Sequence, residues 1–85
     1  MTTEELITLI KDVVEVEISL DKDTPLIGGN SEIDSLNMVE ICMALEEKAN
    51  DQGFEFDSEK VMSSIDTIFK SPETLTIEYN RQMKG

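Results

Sequence analysis

Apolar residues recur at helical intervals in nearly every segment of this chain long enough to be an element, and that spacing constrains the fold more than any other feature. Leu6, Ile7, Leu9, Ile10, Val13 and Val14 leave Glu4, Lys11 and Asp12 between them, which is the pattern of an amphipathic helix. Thr2 and Glu5 have capping-box spacing at its start, so a first helix is expected over about residues 3–18. The β-branched run Val13, Val14, Val16, Ile18 would by itself suit a strand, but the upstream period and the acidic first turn favour helix.

Residues 19–34 form a long connection in which Pro25, Gly28 and Gly29 break any helix and Asn30-Ser31 adds turn chemistry. Connections of this length in a small domain usually have a use, and Leu20, Leu26, Ile27 and Ile33 are placed to pin it to a core. Asp34 then caps a second helix running to about Ala49. Its apolar residues divide into two sets. Met38, Ile41, Cys42 and Leu45 make a core-facing stripe, while Leu36, Val39 and Met43 lie on another side among Asn37, Glu40, Glu46 and Glu47. The second set is either ordinary core of a surrounded helix or an exposed patch rimmed by acids, and the pattern alone leaves both open.

Asn50-Asp51-Gln52-Gly53 ends that helix, and Phe54-Glu55-Phe56 alternates in a short extended piece. Asp57 or Ser58 caps a third helix carrying Val61, Met62, Ile65, Ile68 and Phe69, whose continuity to Phe69 the pattern does not decide. Ser71-Pro72-Glu73 opens a fourth: a cap, proline in the first helical position and an acid in the first turn. Leu75, Tyr79 and Met83 give it a stripe, and Arg81 and Lys84 suit its C-terminal dipole. The expected fold is all-α: a small four-helix bundle with a long loop between helices one and two and a short third helix, one domain over residues 1–85.

Composition removes whole classes of function. At 85 residues the chain buries roughly 60–65% of its unfolded surface, which leaves little room for a deep dry cleft. It has no histidine, so a Ser-His-Asp triad, a Cys-His pair and His-ligated zinc are excluded. Cys42 is the only cysteine, so no intrachain disulfide forms, and inside an apolar helical pattern it reads as a small buried hydrophobe suited to a reducing compartment. No apolar run reaches the roughly 20 residues of a membrane span, and no signal peptide is read at the start. A soluble, cytoplasmic monomer is expected.

Net charge is −12, unevenly spread. Residues 1–57 hold 15 acids against Lys11, Lys22 and Lys48, while residues 58–85 balance four acids with Lys60, Lys70, Arg81 and Lys84. Such a field repels nucleic acid and anionic lipid and attracts basic protein surfaces, although acidity also simply keeps a small protein in solution. Asp21, Asp23 and Glu32 fall at the first, third and twelfth positions of an EF-hand loop, but Leu26 stands where that loop needs glycine, so a solvated acidic loop is the reading. Gly28-Gly29-Asn30-Ser31 lacks the spacing of a phosphate-binding loop, and no histidine could activate Ser31. No catalytic residues are assigned and an enzyme is not expected.

The informative segment is Asp34-Ser35-Leu36 at the start of the second helix. A serine in the first turn holds its hydroxyl beside unpaired backbone N–H groups and the positive end of the dipole, where a phosphodiester would be stabilised. Taken alone, the tripeptide reads as a plain helix cap.

Its surroundings add more. Thr24-Pro25-Leu26-Ile27, a short loop, Asp34-Ser35-Leu36 and then Met38-Val39-Glu40-Ile41-Cys42-Met43-Ala44-Leu45-Glu46-Glu47, followed by Phe54-Glu55-Phe56, resemble the acyl carrier protein family over about residues 3–82. The resemblance implies that a phosphopantetheinyl transferase attaches 4′-phosphopantetheine to Ser35, with Asp34 and Leu36 completing the recognised tripeptide. The arm's thiol then holds an acyl group as a thioester. Leu36, Val39 and Met43 would be the apolar contacts, and Glu40, Glu46 and Glu47 the acids, that acyl-loading and acyl-processing enzymes meet with basic patches. Asn37 in place of a common acid, the Gly28-Gly29-Asn30-Ser31 loop and the long 61–72 stretch depart from the family pattern. They point towards a carrier dedicated to a specialised pathway, such as polysaccharide or lipid modification. A peptidyl or aminoacyl carrier loaded by an adenylating ligase, and an unmodified acidic interaction module, are the alternatives.

Overall fold

The computed structural model describes residues 1–14, 20–27 and 33–84, and of Ser35 it describes the backbone. Among the described residues all regular structure is helical: α1 (Thr3–Val14), α2 (Ser35–Asp51), α3 (Ser58–Ser63), α4 (Ile65–Ile68) and α5 (Pro72–Met83). The expected continuation of the first helix over 15–18 lies outside the described residues.

Each of the three long helices starts with a reciprocal capping box, which satisfies two of the four N–H groups that a helix start leaves without partners. At α1, Thr2 N–H donates to Glu5 Oε1 and Glu5 N–H to Thr2 Oγ1, both at 3.1 Å. The bond from the Thr2 backbone holds the Glu5 carboxyl below its ordinary range. Asp34 with Asn37 opens α2, and Ser71 with Thr74 opens α5, where Pro72 fills the first turn. The end of α2 is as well defined. Gly53 takes φ +88, its N–H donates to the Asn50 carbonyl at 3.2 Å, and Phe54 N–H donates to the Ala49 carbonyl at 3.0 Å. That is a Schellman stop, and the left-handed residue it needs is why glycine follows Gln52.

The core runs between α1, α2 and α5. Leu6, Ile10, Leu26, Ile41, Leu45, Ala49, Val61, Phe69, Leu75 and Tyr79 are fully buried. Tyr79 joins the end of α2 to α5: its hydroxyl donates to Gln52 Oε1 at 2.7 Å, and its ring meets Phe54 edge-on with centroids 5.2 Å apart. The alternation Phe54-Glu55-Phe56 is visible in burial, with Phe56 inside and Glu55 out, but the segment forms no strand.

The third helical region is divided. Ser64, at φ −128 and ψ 41, closes α3 and starts α4, and its N–H is shared between the carbonyls of Lys60 and Val61. One straight helix would present Val61 and Ile68 to the same neighbour. Instead α3 packs on α2 and α4 on α5. The break lets Val61 and Ile68 reach different walls, and it leaves Met62 on the surface.

The segment 20–27 is non-helical and fixed to the start of α5 from both sides. Leu26 N–H donates to the Lys70 carbonyl at 2.9 Å, and Glu73 N–H donates to the Lys22 carbonyl at 3.1 Å. Leu26 and Ile33 are buried and Leu20 and Ile27 partly so, which are the four residues expected to pin the connection.

Candidate functional site

Asp34 is extended at φ −96, ψ −179, and its side chain accepts from Asn37 N–H at 2.8 Å. Asp34 N–H in turn donates to Asn37 Oδ1 at 3.3 Å, and Asn37 Nδ2 reaches Glu40 Oε1 at 3.3 Å. Asn37 therefore closes the cap and ties it to the acid one turn on. The box covers the N–H groups of Asp34 and Asn37, so of the four start-of-helix donors it leaves those of Ser35 and Leu36. Ser35 is the first residue of a 17-residue helix. The side chain of Ser35, and with it the expected place of the hydroxyl beside unpaired backbone N–H groups, lies outside what is described.

Beyond that start, α2 carries two apolar faces. Ile41, Cys42, Leu45 and Ala49 are buried and Met38 is half-buried against them. Leu36, Val39 and Met43, within about 60° of arc at 3.6 residues per turn, are 68%, 46% and 59% exposed. Glu40, Glu46 and Glu47 beside them are exposed as well. Of the two readings the sequence left open, burial selects the exposed patch. Removing such side chains from water is favourable, and a bare apolar stripe rimmed by carboxylates has the character of an interaction surface.

Cys42 sits on the buried side, where burial pushes its thiol up to about 11. The Ser58 hydroxyl pulls weakly the other way, although its buried oxygen makes no hydrogen bond of ordinary geometry. A thiol so held is protonated at neutral pH and is packing rather than a nucleophile.

A groove of about 880 Å³ opens between the 20–27 segment, α2, α4 and the start of α5. Pro25, Ile27, Met38 and Ile65 supply its apolar surface. None of these was assigned to a site from the sequence. The groove arises where a loop crosses two helices, and no local spacing encodes it. The length of the connection was the only signal available.

Among the described residues no three of histidine, cysteine, aspartate and glutamate stand where they could hold a metal ion. No described helix is long and apolar enough to cross a membrane. Comparison with protein-family models, with curated proteins and with solved structures finds no match.

Proposed function

We propose that this chain is a carrier and not a catalyst: Ser35 bears a covalent 4′-phosphopantetheine arm, and α2 is the surface by which partner enzymes hold it. The observation that carries the reading is the construction of α2. A serine stands at the first position of a long helix, the cap leaves the N–H groups of Ser35 and Leu36 to an anion, and an exposed apolar stripe begins at the next residue. A phosphodiester on Ser35 fits that start because the Asp34 carboxylate is already engaged by Asn37 N–H. When attached, the arm supplies a thiol that holds an acyl group as a thioester.

The chain's own work is to anchor, orient and be recognised. The rigid cap fixes where the arm begins. Glu40, Glu46 and Glu47 steer basic surfaces on the phosphopantetheinyl transferase and on acyl-loading and acyl-processing enzymes, and Leu36, Val39 and Met43 supply the contact area. In this reading the helices act as a four-helix bundle, α3 and α4 together being the short third member, with the long first connection packed across it. The molecule works as a monomer in the cytoplasm.

Incubating the arm-free protein with coenzyme A and a broad-specificity transferase tests the proposal by intact mass. One phosphopantetheinyl group is expected on the wild type and none on Ser35→Ala. A wild type left unmodified, or a Ser35→Ala variant that gains the mass, overturns it.

A further inference from the structure

The cap of α2 does one thing that the cap of α5 does not. At α5 the residue three on from the cap, Thr74, has a single hydroxyl proton, and that proton goes to backbone, with the carbonyls of Ile68 and Ser71 both at 2.9 Å. At α2 the same position holds an amide. Asn37 Oδ1 accepts from Asp34 N–H, as the box requires, and Nδ2 is left to donate to Glu40 Oε1 at 3.3 Å. Glu46 and Glu47, the other acids beside the exposed stripe, make no hydrogen bond or ion pair among the described residues. Of the three acids, Glu40 is the one whose side chain is held.

We infer that Asn37 is a positioning residue for transfer of the arm to Ser35: it holds Glu40 in the conformation that the basic surface of the transferase meets. The inference rests on the carrier reading of Ser35. Around the helix Glu40 lies about 40° from Leu36 and about 60° from Asn37, between the two. It therefore stands at the edge of the apolar stripe, and Asn37 backs it from the side away from that stripe. Along the helix Glu40 is about 7.5 Å from Ser35, while Glu46 and Glu47 are about 16 to 18 Å away. A contact at Glu40 thus fixes how a partner approaches the hydroxyl more closely than a contact at either of the others. A long side chain already held in place gives up less freedom on docking than one free to rotate. Only an amide serves both ends of the tie here. A carboxylate at 37 could accept from Asp34 N–H, but it has no proton for Glu40 and would repel it.

Steady-state kinetics of arm transfer from coenzyme A by a broad-specificity transferase test this role. Asn37→Thr keeps a box of the kind seen at α5 and removes the tie to Glu40. It should raise KM for the carrier about twofold, leave kcat unchanged and melt as the wild type does. Glu40→Gln should raise KM about threefold, as for the loss of one exposed ion pair. Made on top of Glu40→Gln, Asn37→Thr should add nothing, while on top of Glu46→Gln it should keep its twofold effect. A residue that served the helix start alone would act equally in every background. Equal effects in all three backgrounds, or no effect of Asn37→Thr on KM, overturn the inference. A second readout needs no transferase. The Hα–Hβ couplings of Glu40 should report one rotamer in the wild type and averaged rotamers in Asn37→Thr, and averaged couplings in the wild type overturn the inference as well. A wild type that takes no arm overturns the carrier reading and this role with it, whereas normal loading with the two residues uncoupled overturns this role alone.

Discussion

Helices α2 and α5 begin with the same device and end up in opposite circumstances. Both have an extended cap residue whose side chain takes the N–H three residues on, and both have that third residue's side chain reaching back. At α5 the cap is sealed: Ser71 is buried, the Lys70 and Lys22 carbonyls hold the 20–27 segment over it, and Thr74 is tied to Ile68. At α2 the cap residue Asp34 is exposed, and the next residue with a described side chain, Leu36, is 68% exposed. The contrast continues along each helix. Buried Pro72, Leu75, Thr76, Glu78 and Tyr79 surround α5 with neighbours, whereas α2 keeps one side bare. A capping motif therefore says where a helix starts and nothing about use. Use is read from what the rest of the chain leaves uncovered.

The sharpest way to break that contrast is to truncate one residue on each face of α2. Leu45→Ala should cost about 2–5 kcal/mol in chemical denaturation, because Leu45 is fully buried and a cavity remains. Met43→Ala should stay within about 0.5 kcal/mol, as for an exposed site with no partner to lose. Equal losses would mean that the outer stripe is core. The two caps come next. Ser71→Ala should lose about 1–2 kcal/mol and Asp34→Ala about 0.5–1 kcal/mol, since only the first also uncovers a buried junction.

A smaller effect concerns acid stability. Glu78 is buried in α5, where Arg81 grips both its oxygens at 3.0 and 2.7 Å, Gln82 Nε2 donates at 2.8 Å and Lys60 stands at 4.0 Å. The Arg81 bonds hold its carboxyl below the ordinary glutamate range against the opposing effect of burial. A depressed carboxyl stabilises the fold at pH above its unfolded value, about 4.3, and that contribution is lost as pH falls through the folded value. Glu78→Gln should flatten this part of the acid limb. Its cost at neutral pH is held to about 1 kcal/mol, because the Arg81 side chain is 53% exposed and water screens the pair. An unchanged acid limb would contradict the assignment. The smallest effect is kinetic. Cys42, with its thiol raised to about 11, should react with iodoacetamide at pH 8 only as fast as the protein opens, and freely once denatured. Rapid labelling of the native protein would mean that this face of α2 is open too.

These elements differ in how far the sequence disclosed them. The helix starts were legible because Thr2/Glu5, Asp34 and Ser71-Pro72 act within one turn, and Cys42 was legible as core from its place between Ile41 and Leu45. The candidate site was legible as a segment, Asp34-Ser35-Leu36, but not as an environment: whether Leu36, Val39 and Met43 were covered depended on α3, α4 and α5, which local spacing does not describe. The Ser64 break carries no glycine or proline, and it follows from two neighbours claiming the two halves of one apolar pattern. The burial of Glu78 was hidden for a similar reason. Its partners Arg81 and Gln82 are local, but Gln82 also accepts from Asp57 N–H, 25 residues away, and Lys60 of α3 stands beside the carboxylate, contacts that local spacing does not describe. Ile77 shows the reverse case, an apolar residue that sequence could count as core and that lies 60% exposed.

The central claim is that the open start of α2 exists to carry something. Peptide mapping of the protein recovered from its own cells tests it most directly. A phosphopantetheinyl mass on the peptide holding Ser35, alone or with an acyl group on its thiol, is the result this account predicts. Recovery of that peptide unmodified throughout, or the same mass attached to any other residue, would contradict it.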